Sequence, residues 1–256
     1  MNYLLSKVYV HFMLSRKLFI FNNFIYDLNC PLSLNYLWSF GFILATFFCF
    51  QILSGFIISI HFFTSNEISF FRVLNFTRDT NISSFRYFHV VGSRFIFFLL
   101  YLHILRGIFY KSIKFFLVWA LGIFLYILTI LSSFLGYVLP WGQMSFWAAS
   151  VITNLVTVIP FFGTYLISLL WGSFSVSDRT LNRFYTFHFI LPLISLVFIL
   201  THLHFLHLTL SNNSIFLKNL EFLHFFPFLL IKDFFSFLLS HLFFLSFFFF
   251  SFFLYW

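Results

Sequence analysis

The 256-residue chain carries 14 Lys and Arg against 6 Asp and Glu, a formal net charge of +8, yet only 8% of its residues are charged and 62% are hydrophobic. A water-soluble domain of this length needs far more charge to cover its surface, and several apolar stretches exceed the roughly 18 residues that cross a bilayer. No basic run or stripe accompanies the positive charge, so nothing marks a nucleic-acid partner.

An all-α integral membrane protein is therefore expected, its helices satisfying their own backbone hydrogen bonds in lipid. The 50 Phe residues read as compositional drift, because lipid-facing positions distinguish poorly between Phe and Leu. Cys30 and Cys49 form neither a C-x-x-C-H haem attachment nor a zinc spacing. No small-residue cleavage site follows the N-terminal apolar stretch, so insertion is expected to rely on the spans themselves.

In chain order, residues 1–36 hold Lys7, Arg16, Lys17 and Asp27 among apolar residues and read as an interfacial segment. Span A follows over about Trp38–His61, and a polar connection (64–87) carries Glu67, Arg72, Arg78, Asp79 and Arg86. Span B covers about Phe88–Phe109 and span C about Phe115–Leu139, where Pro140 stops it. Within 141–183 the apolar piece Phe161–Trp171 is too short to cross and reads as re-entrant or interfacial. Span D runs over about Phe184–Leu208, and a connection with Ser211, Asn212, Asn213 and Lys218 leads to span E, about Ile231–Trp256.

The expected organisation is one unit without internal repeats: the N-terminal segment, a four-helix bundle over 37–210, and the connection plus fifth helix over 211–256. Lys7, Arg16, Lys17, Arg106, Lys111, Lys114, Lys218 and Lys232 collect on one side of the membrane. Arg72, Arg78, Arg86, Arg94, Arg179 and Arg183 collect on the other. The side holding every lysine is favoured as the positive one.

Span B carries His89 and His103, and span D carries His188 and His202, each pair fourteen residues apart. At 100° per residue, fourteen residues fall about 40° short of four turns, so each pair shares a face. The rise is about 21 Å, which puts one histidine near each margin of a hydrocarbon core about 30 Å thick. B and D run in the same direction. His89 and His188 then lie at one depth, His103 and His202 at the other. Two imidazoles at each depth can fill both axial positions of a haem iron, leaving it no open site for oxygen. One such pair alone, among 10 histidines, would more simply be a helix–helix hydrogen-bonding residue and its neighbour. Two pairs on parallel spans are a different matter.

A second pattern shares that interval. Span A has Gly41 and Gly55, and span C has Gly122 and Gly136, again fourteen apart. Glycine lets backbone approach a flat macrocycle closely, although small residues also serve plain helix packing. On the two helices lacking histidine pairs, they fit a slot at each depth: A and C as walls, B and D as ligand carriers. Gly41 and Gly122 fall with His103 and His202 on the lysine side, and Gly55 and Gly136 with His89 and His188. His204 lies about 200° from His202 and points elsewhere. His11, His61, His224 and His241 lack a partner at this interval and read as interfacial or lipid-packing residues. The fold class is thus a di-haem four-helix transmembrane bundle with a fifth span, its two b-type haems held noncovalently.

At these residues the sequence resembles cytochrome b of the respiratory quinol:cytochrome c oxidoreductase, mitochondrial type. The likeness runs through Gly136-Tyr-Val-Leu-Pro-Trp-Gly-Gln-Met-Ser-Phe-Trp147, Val151-Ile-Thr-Asn154, Phe187-His-Phe-Ile-Leu-Pro192, Ser211-Asn-Asn213 and Ile231-Lys-Asp233. The fourteen-residue interval in span D is similar to the mitochondrial and bacterial type; the photosynthetic relative has one residue more.

The resemblance implies a quinone cycle, with quinol oxidised near one membrane face and quinone reduced near the other. His89 and His188 would hold the low-potential haem and His103 and His202 the high-potential haem. Arg86 and Arg106 resemble propionate partners. Tyr137, Met144 and Phe134 match residues of the quinol-oxidising pocket, beside Ala148. His207, Ser211, Asn212, Lys232 and Asp233 match the polar set of the quinone-reducing site, where a His/Asp pair can deliver protons. Ubiquinone would be the substrate. The Rieske iron–sulfur protein and cytochrome c1 would be partners in a homodimeric complex of the mitochondrial inner membrane.

Three departures stand out. Ala148 replaces the usual glycine of the oxidation pocket. Val91 and Arg94 replace small or amide residues near the first ligand. The Pro-Glu-Trp-Tyr motif and three further spans do not occur in this sequence, which implies either a second polypeptide carrying that half or a longer chain. A subunit of a photosynthetic complex and a haem-free polytopic transporter remain the competing readings.

Overall fold

The computed structural model describes residues 28–78, 82–212 and 221–255. Lys7, His11, Arg16, Lys17, Asp27, Asp79, Asn213 and Lys218 lie outside the described residues.

Among the described residues, five helices are long and apolar enough to cross a membrane. After a 3-10 turn over Tyr36–Ser39, whose N-terminal Asn35 side chain caps the Leu37 N–H, helix α1 spans Phe40–Ser59. Helix α2 (Ser69–Arg78) is short, α3 spans Ser83–Phe109 and α4 spans Phe116–Val138. Two short helices follow, α5 (Gln143–Asn154) and α6 (Gly163–Trp171). Helix α7 runs from Asp178 to Thr209, and α8 from Leu230 to Tyr255. A three-residue antiparallel ladder pairs β1 (Asn29–Pro31) with β2 (Phe222–His224), joining the segment before α1 to the connection before α8.

The spans A to E correspond to α1, α3, α4, α7 and α8, but two of them begin earlier than their apolar cores. Helix α3 starts at Ser83 rather than Phe88, and α7 at Asp178 rather than Phe184. The extra turns precede the apolar runs and carry Ser83, Ser84 and Arg86 at α3 and Asp178, Arg179, Asn182 and Arg183 at α7. At α7 a capping box between Ser177 and Thr180 closes the first turn, and Asp178 accepts the backbone N–H of Asn66. The connection after span A contains α2, which is strongly amphipathic: Val73 and Phe76 turn inward while Phe70, Phe71 and Arg72 stay exposed. The segment 141–183 holds two helices rather than one, because α5 buries Ser145, Ala149 and Thr153 at helical spacing. The Trp171 indole N–H donates to Thr153 Oγ1 at 2.7 Å and ties α6 to α5.

The apolar interior is divided. Helix α1 presents Ile43, Phe47, Gln51 and Ser54 at steps of four, four and three, a single stripe laid against α3. There Ile43 and Phe47 pack with Val91, Phe95, Ile96 and Leu99, and α8 adds Phe244 and Phe248. A second core joins α4, α5 and α7 through Leu135, Val138, Ala149 and Phe184. Most other large apolar side chains are exposed, as lipid-facing positions of a membrane bundle are. Pro192 lies inside α7 and removes the backbone donor that would reach the His188 carbonyl; the helix continues through it.

His241 is a difference from expectation. It does not face lipid alone but packs between α8 and α1, stacked on Phe47 at 4.4 Å and beside Phe237 at 4.0 Å. Its Nδ1 lies 2.8 Å from the Phe237 carbonyl of the preceding turn. With Nδ1 met within its own helix, the ring packs as an aromatic.

Candidate functional site

The histidine positions follow from helix pairing. Helix α1 packs on α3 and α4 on α7, so each glycine-bearing helix lies beside a histidine-bearing one. A Cβ placed on Gly55 would stand 3.0 Å from His89 Cε1, and one on Gly136 only 2.6 Å from His188 Cε1. On the lysine side, a Cβ on Gly41 would meet His103 Cε1, and one on Gly122 would meet His202 Cε1, both at 3.4 Å. All four glycines thus lie against the imidazoles themselves, opening the helix surface so that a ring can seat there.

The depths agree across the two helix pairs. His89 and His188 approach from α3 and α7 with ring centroids 6.2 Å apart and planes at 88°. Two metal–imidazole bonds of about 2 Å each, plus a ring radius of roughly 1.1 Å on either side, separate two axial imidazoles by about 6 Å. His103 faces His202 and Arg106 at the other depth.

The outer nitrogens are held at the first depth. His188 Nδ1 lies 2.8 Å from the Ser132 carbonyl, which accepts from the ring N–H and leaves Nε2 as the basic nitrogen. His89 Nδ1 lies 3.1 Å from Ser54 Oγ. Gln51 backs the same turn: its carboxamide donates to the His89 carbonyl at 3.0 Å and accepts the Ser93 N–H at 3.1 Å. At the second depth, His103 Nδ1 and His202 Nδ1 are buried without a hydrogen-bond partner among the described residues.

Among the described residues no three His, Cys, Asp or Glu side chains gather as a protein-only metal site requires. Two imidazoles per depth instead suit a metal whose remaining ligands come from a macrocycle. A further feature fits such a group. Arg106 lies over the Trp38 ring at 5.4 Å, yet Arg106 Nε and Trp38 Nε1 are buried donors with no acceptor among the described residues. A carboxylate side arm would satisfy both. Arg86 is placed differently, donating to Thr77 Oγ1 of α2 at 3.0 Å.

The other positions singled out from the sequence fall into two groups. Near the α4–α5 turn, Tyr137 and Met144 are exposed, Ala148 is half-buried, and Phe134 packs edge-on to Phe184 at 6.1 Å. Trp141 in that turn has φ +55°, a left-handed conformation that reverses the chain sharply. On the lysine side, Asn212 Nδ2 donates to the Tyr110 carbonyl at 2.5 Å, which binds the end of α7 to the α3–α4 turn. Lys232 Nζ donates to the Leu34 carbonyl at 3.0 Å, and Asp233 accepts from Ser39. Ser211 and His207 are half-buried at the end of α7, where His207 faces His204. Near Asp233, burial first and the carboxylate second push the Cys30 thiol up to about 11.

Residues 25–210 match the family model described as cytochrome b/b6/petB. The chain belongs to the cytochrome b family. A curated relative, cytochrome b of Apis mellifera ligustica, is 42% identical over 186 residues, covering 72% of this chain and 49% of that protein. Among solved structures, a chain of a hyperthermophilic respiratory Complex III superposes with a TM-score of 0.78 at 26% identity, over 90% of this chain and 64% of that one. The chain therefore spans about half the length of the curated relative it matches.

Sequence reasoning passed over Ser54, Gln51, Trp38 and the Ser132 carbonyl. Ser54 is adjacent to Gly55 and was within reach. The carbonyl was not, since any residue type supplies one, but its place four residues before Gly136 has a physical reason. A glycine one turn on uncovers that carbonyl to a neighbouring ring.

Proposed function

We propose that the chain is the N-terminal, haem-carrying half of a cytochrome b that works in a quinol:cytochrome c oxidoreductase. His89 and His188 hold one noncovalent b-type haem, and His103 and His202 hold the other. The arrangement of His89 and His188 carries this reading: two rings 6.2 Å apart, each seated on a glycine, each with Nδ1 in hydrogen-bond contact on the outer side.

His89 with His188 and His103 with His202 would hold the haems, which would supply one-electron carriers there. The chain's own residues orient and insulate it. The glycines let α1 and α4 close over the rings, and Arg106 with Trp38 offers donors to an acidic side arm. Quinol oxidation is assigned to the side of Tyr137, Phe134, Met144 and Ala148. Quinone reduction is assigned to the side of His207, Ser211, Asn212, Lys232 and Asp233, with His207 and Asp233 passing protons at the membrane margin. The low-potential haem is the one between His89 and His188. Ubiquinone as substrate, the Rieske protein and cytochrome c1 as partners, a homodimeric assembly, a second polypeptide or further length carrying the remaining half, and the mitochondrial inner membrane complete the proposal.

The test is optical. Dithionite-reduced purified protein should display b-type bands with two haems per chain, and His188→Ala should remove one of them. A haem-free preparation, or a variant that keeps both haems with unchanged absorption, overturns the proposal.

A further inference from the structure

Helix α3 turns one face away from both its helix neighbours and its own histidines. Val90, Arg94, Phe98, Tyr101 and Leu105 are exposed and follow one another at steps of four, four, three and four, a single stripe along the helix. At 100° per residue, Arg94 lies about 160° round the helix from the mean direction of His89 and His103. The buried face, with Val91, Phe95 and Leu99, is the one that packs with residues of α1 and α8. Every stripe residue but one is apolar or aromatic, as contact with lipid asks. The exception is a guanidinium.

Arg94 is deep for a charge. It lies eleven residues, about 16 Å, from the start of α3 and fifteen residues, about 22 Å, from its end. Arginines close to a helix end reach back to the interface, whereas charges this far inside a span normally pair within the protein. Among the described residues nothing accepts from the Arg94 guanidinium. Of the chain's six acidic residues only Asp178 and Asp233 fall in the five long helices, both in first turns. Asp178 is ten residues outside His188 and Arg94 five residues inside His89, a separation of about 22 Å along the axis. A second copy of this chain has no carboxylate at that depth either, and a two-fold pairing through this stripe would bring arginine toward arginine.

We propose that this stripe is the docking face for a membrane-spanning helix of another polypeptide, one that carries an Asp or Glu side chain at the depth of Arg94. An arginine–carboxylate pair can be bidentate, and it is stronger where water is excluded. Val90 and Phe98, one turn to either side, keep water from the pair. With Leu105 they also supply the side-chain packing that holds two helices together in lipid. The pair fixes register, because sliding the partner by one turn, about 5.4 Å, leaves two charges unmet in the membrane interior. This role needs only the membrane-spanning helices and stands apart from the haem reading.

The experiment is photo-crosslinking in native membranes that hold the full chain, with benzoylphenylalanine in place of Phe98 and mass spectrometry of the adducts. Phe98 should be joined to a membrane-spanning peptide of another polypeptide that contains Asp or Glu. Arg94→Leu should lose that adduct, and Arg94→Lys, which keeps the charge, should retain it. Arg94→Glu should lose it too, and replacing the partner's acidic residue by Lys in the same membranes should bring it back. That exchange also decides if Arg94→Leu fails to accumulate. Adducts to lipid alone, to a second copy of this chain, or to a peptide without a carboxylate overturn the proposal, as does a charge exchange that restores nothing. An adduct undiminished in Arg94→Leu overturns it as well, since apolar packing then suffices and the arginine reaches back to the headgroups.

Discussion

The imidazole planes of His89 and His188 stand at 88° to each other. Perpendicular axial rings leave the two π-interacting iron orbitals close in energy, which gives a strongly anisotropic low-spin EPR signal. The haem at this depth should show such a signal at low temperature, and His89→Ala should abolish it while sparing the second haem. A signal of ordinary rhombic type, lost in the same variant, would mean that the rings turn parallel on binding.

Substituting the four glycines should produce a graded series. The Cβ of Gly136→Ala would stand 2.6 Å from His188 Cε1, that of Gly55→Ala 3.0 Å from His89 Cε1, and those of Gly41→Ala and Gly122→Ala 3.4 Å from their histidines. The first contact forces the ring or helix α4 to move, at about 1–3 kcal/mol for a packed interior. The last two are near ordinary contact. Haem retention on detergent titration should therefore fall most for Gly136→Ala and least for Gly41→Ala and Gly122→Ala. Equal losses at all four would contradict the geometry.

Cys30 gives a pH test outside the spans. Burial, then the Asp233 carboxylate, hold its thiol at about 11 instead of the ordinary 9.0. Because the folded value is raised, the thiol's contribution to stability is fully present below pH 9 and is lost as pH rises through 11. Maleimide labelling of Cys30 at pH 8 should be several-fold slower than for an ordinary thiol, and faster in Asp233→Asn, where the neighbouring negative charge is gone. Mass-spectrometric counting of adducts reads this directly; labelling unaffected by Asp233→Asn would separate the two groups electrostatically.

Ala148 supports a prediction about inhibitors. The extra methyl beside the region proposed above for quinol oxidation, where the family usually has glycine, should weaken methoxyacrylate-type compounds. Ala148→Gly in the intact complex should restore tight inhibition. An unchanged inhibition curve would remove the steric explanation.

How much of this was visible in the sequence depends on the kind of residue involved. The five spans were legible because lipid demands long apolar runs, and the fourteen-residue intervals put His89 near Gly55 and His188 near Gly136 before any coordinates. The early starts of α3 and α7 were not, since Ser83 and Asp178 precede the apolar runs, and at α7 a capping box rather than hydropathy closes the first turn. Helix α2 was hidden inside a segment that reads as a polar connection, because its inward face is only Val73, Phe76 and Ser69. Contacts made by backbone, such as Ser132 on His188 and Leu34 on Lys232, leave no trace in residue identity.

The divided interior has a bearing on how the molecule comes together. Hairpin α1–α3 with α8 has one tightly packed seam and hairpin α4–α7 with α5 has another, and the two seams do not merge. In lipid no water is expelled when helices meet, so two such hairpins have little reason to stay in register on their own. On the proposed haem reading, groups grasped by imidazoles from both hairpins would rivet them, and their loading would be the late step that turns two inserted hairpins into one rigid body.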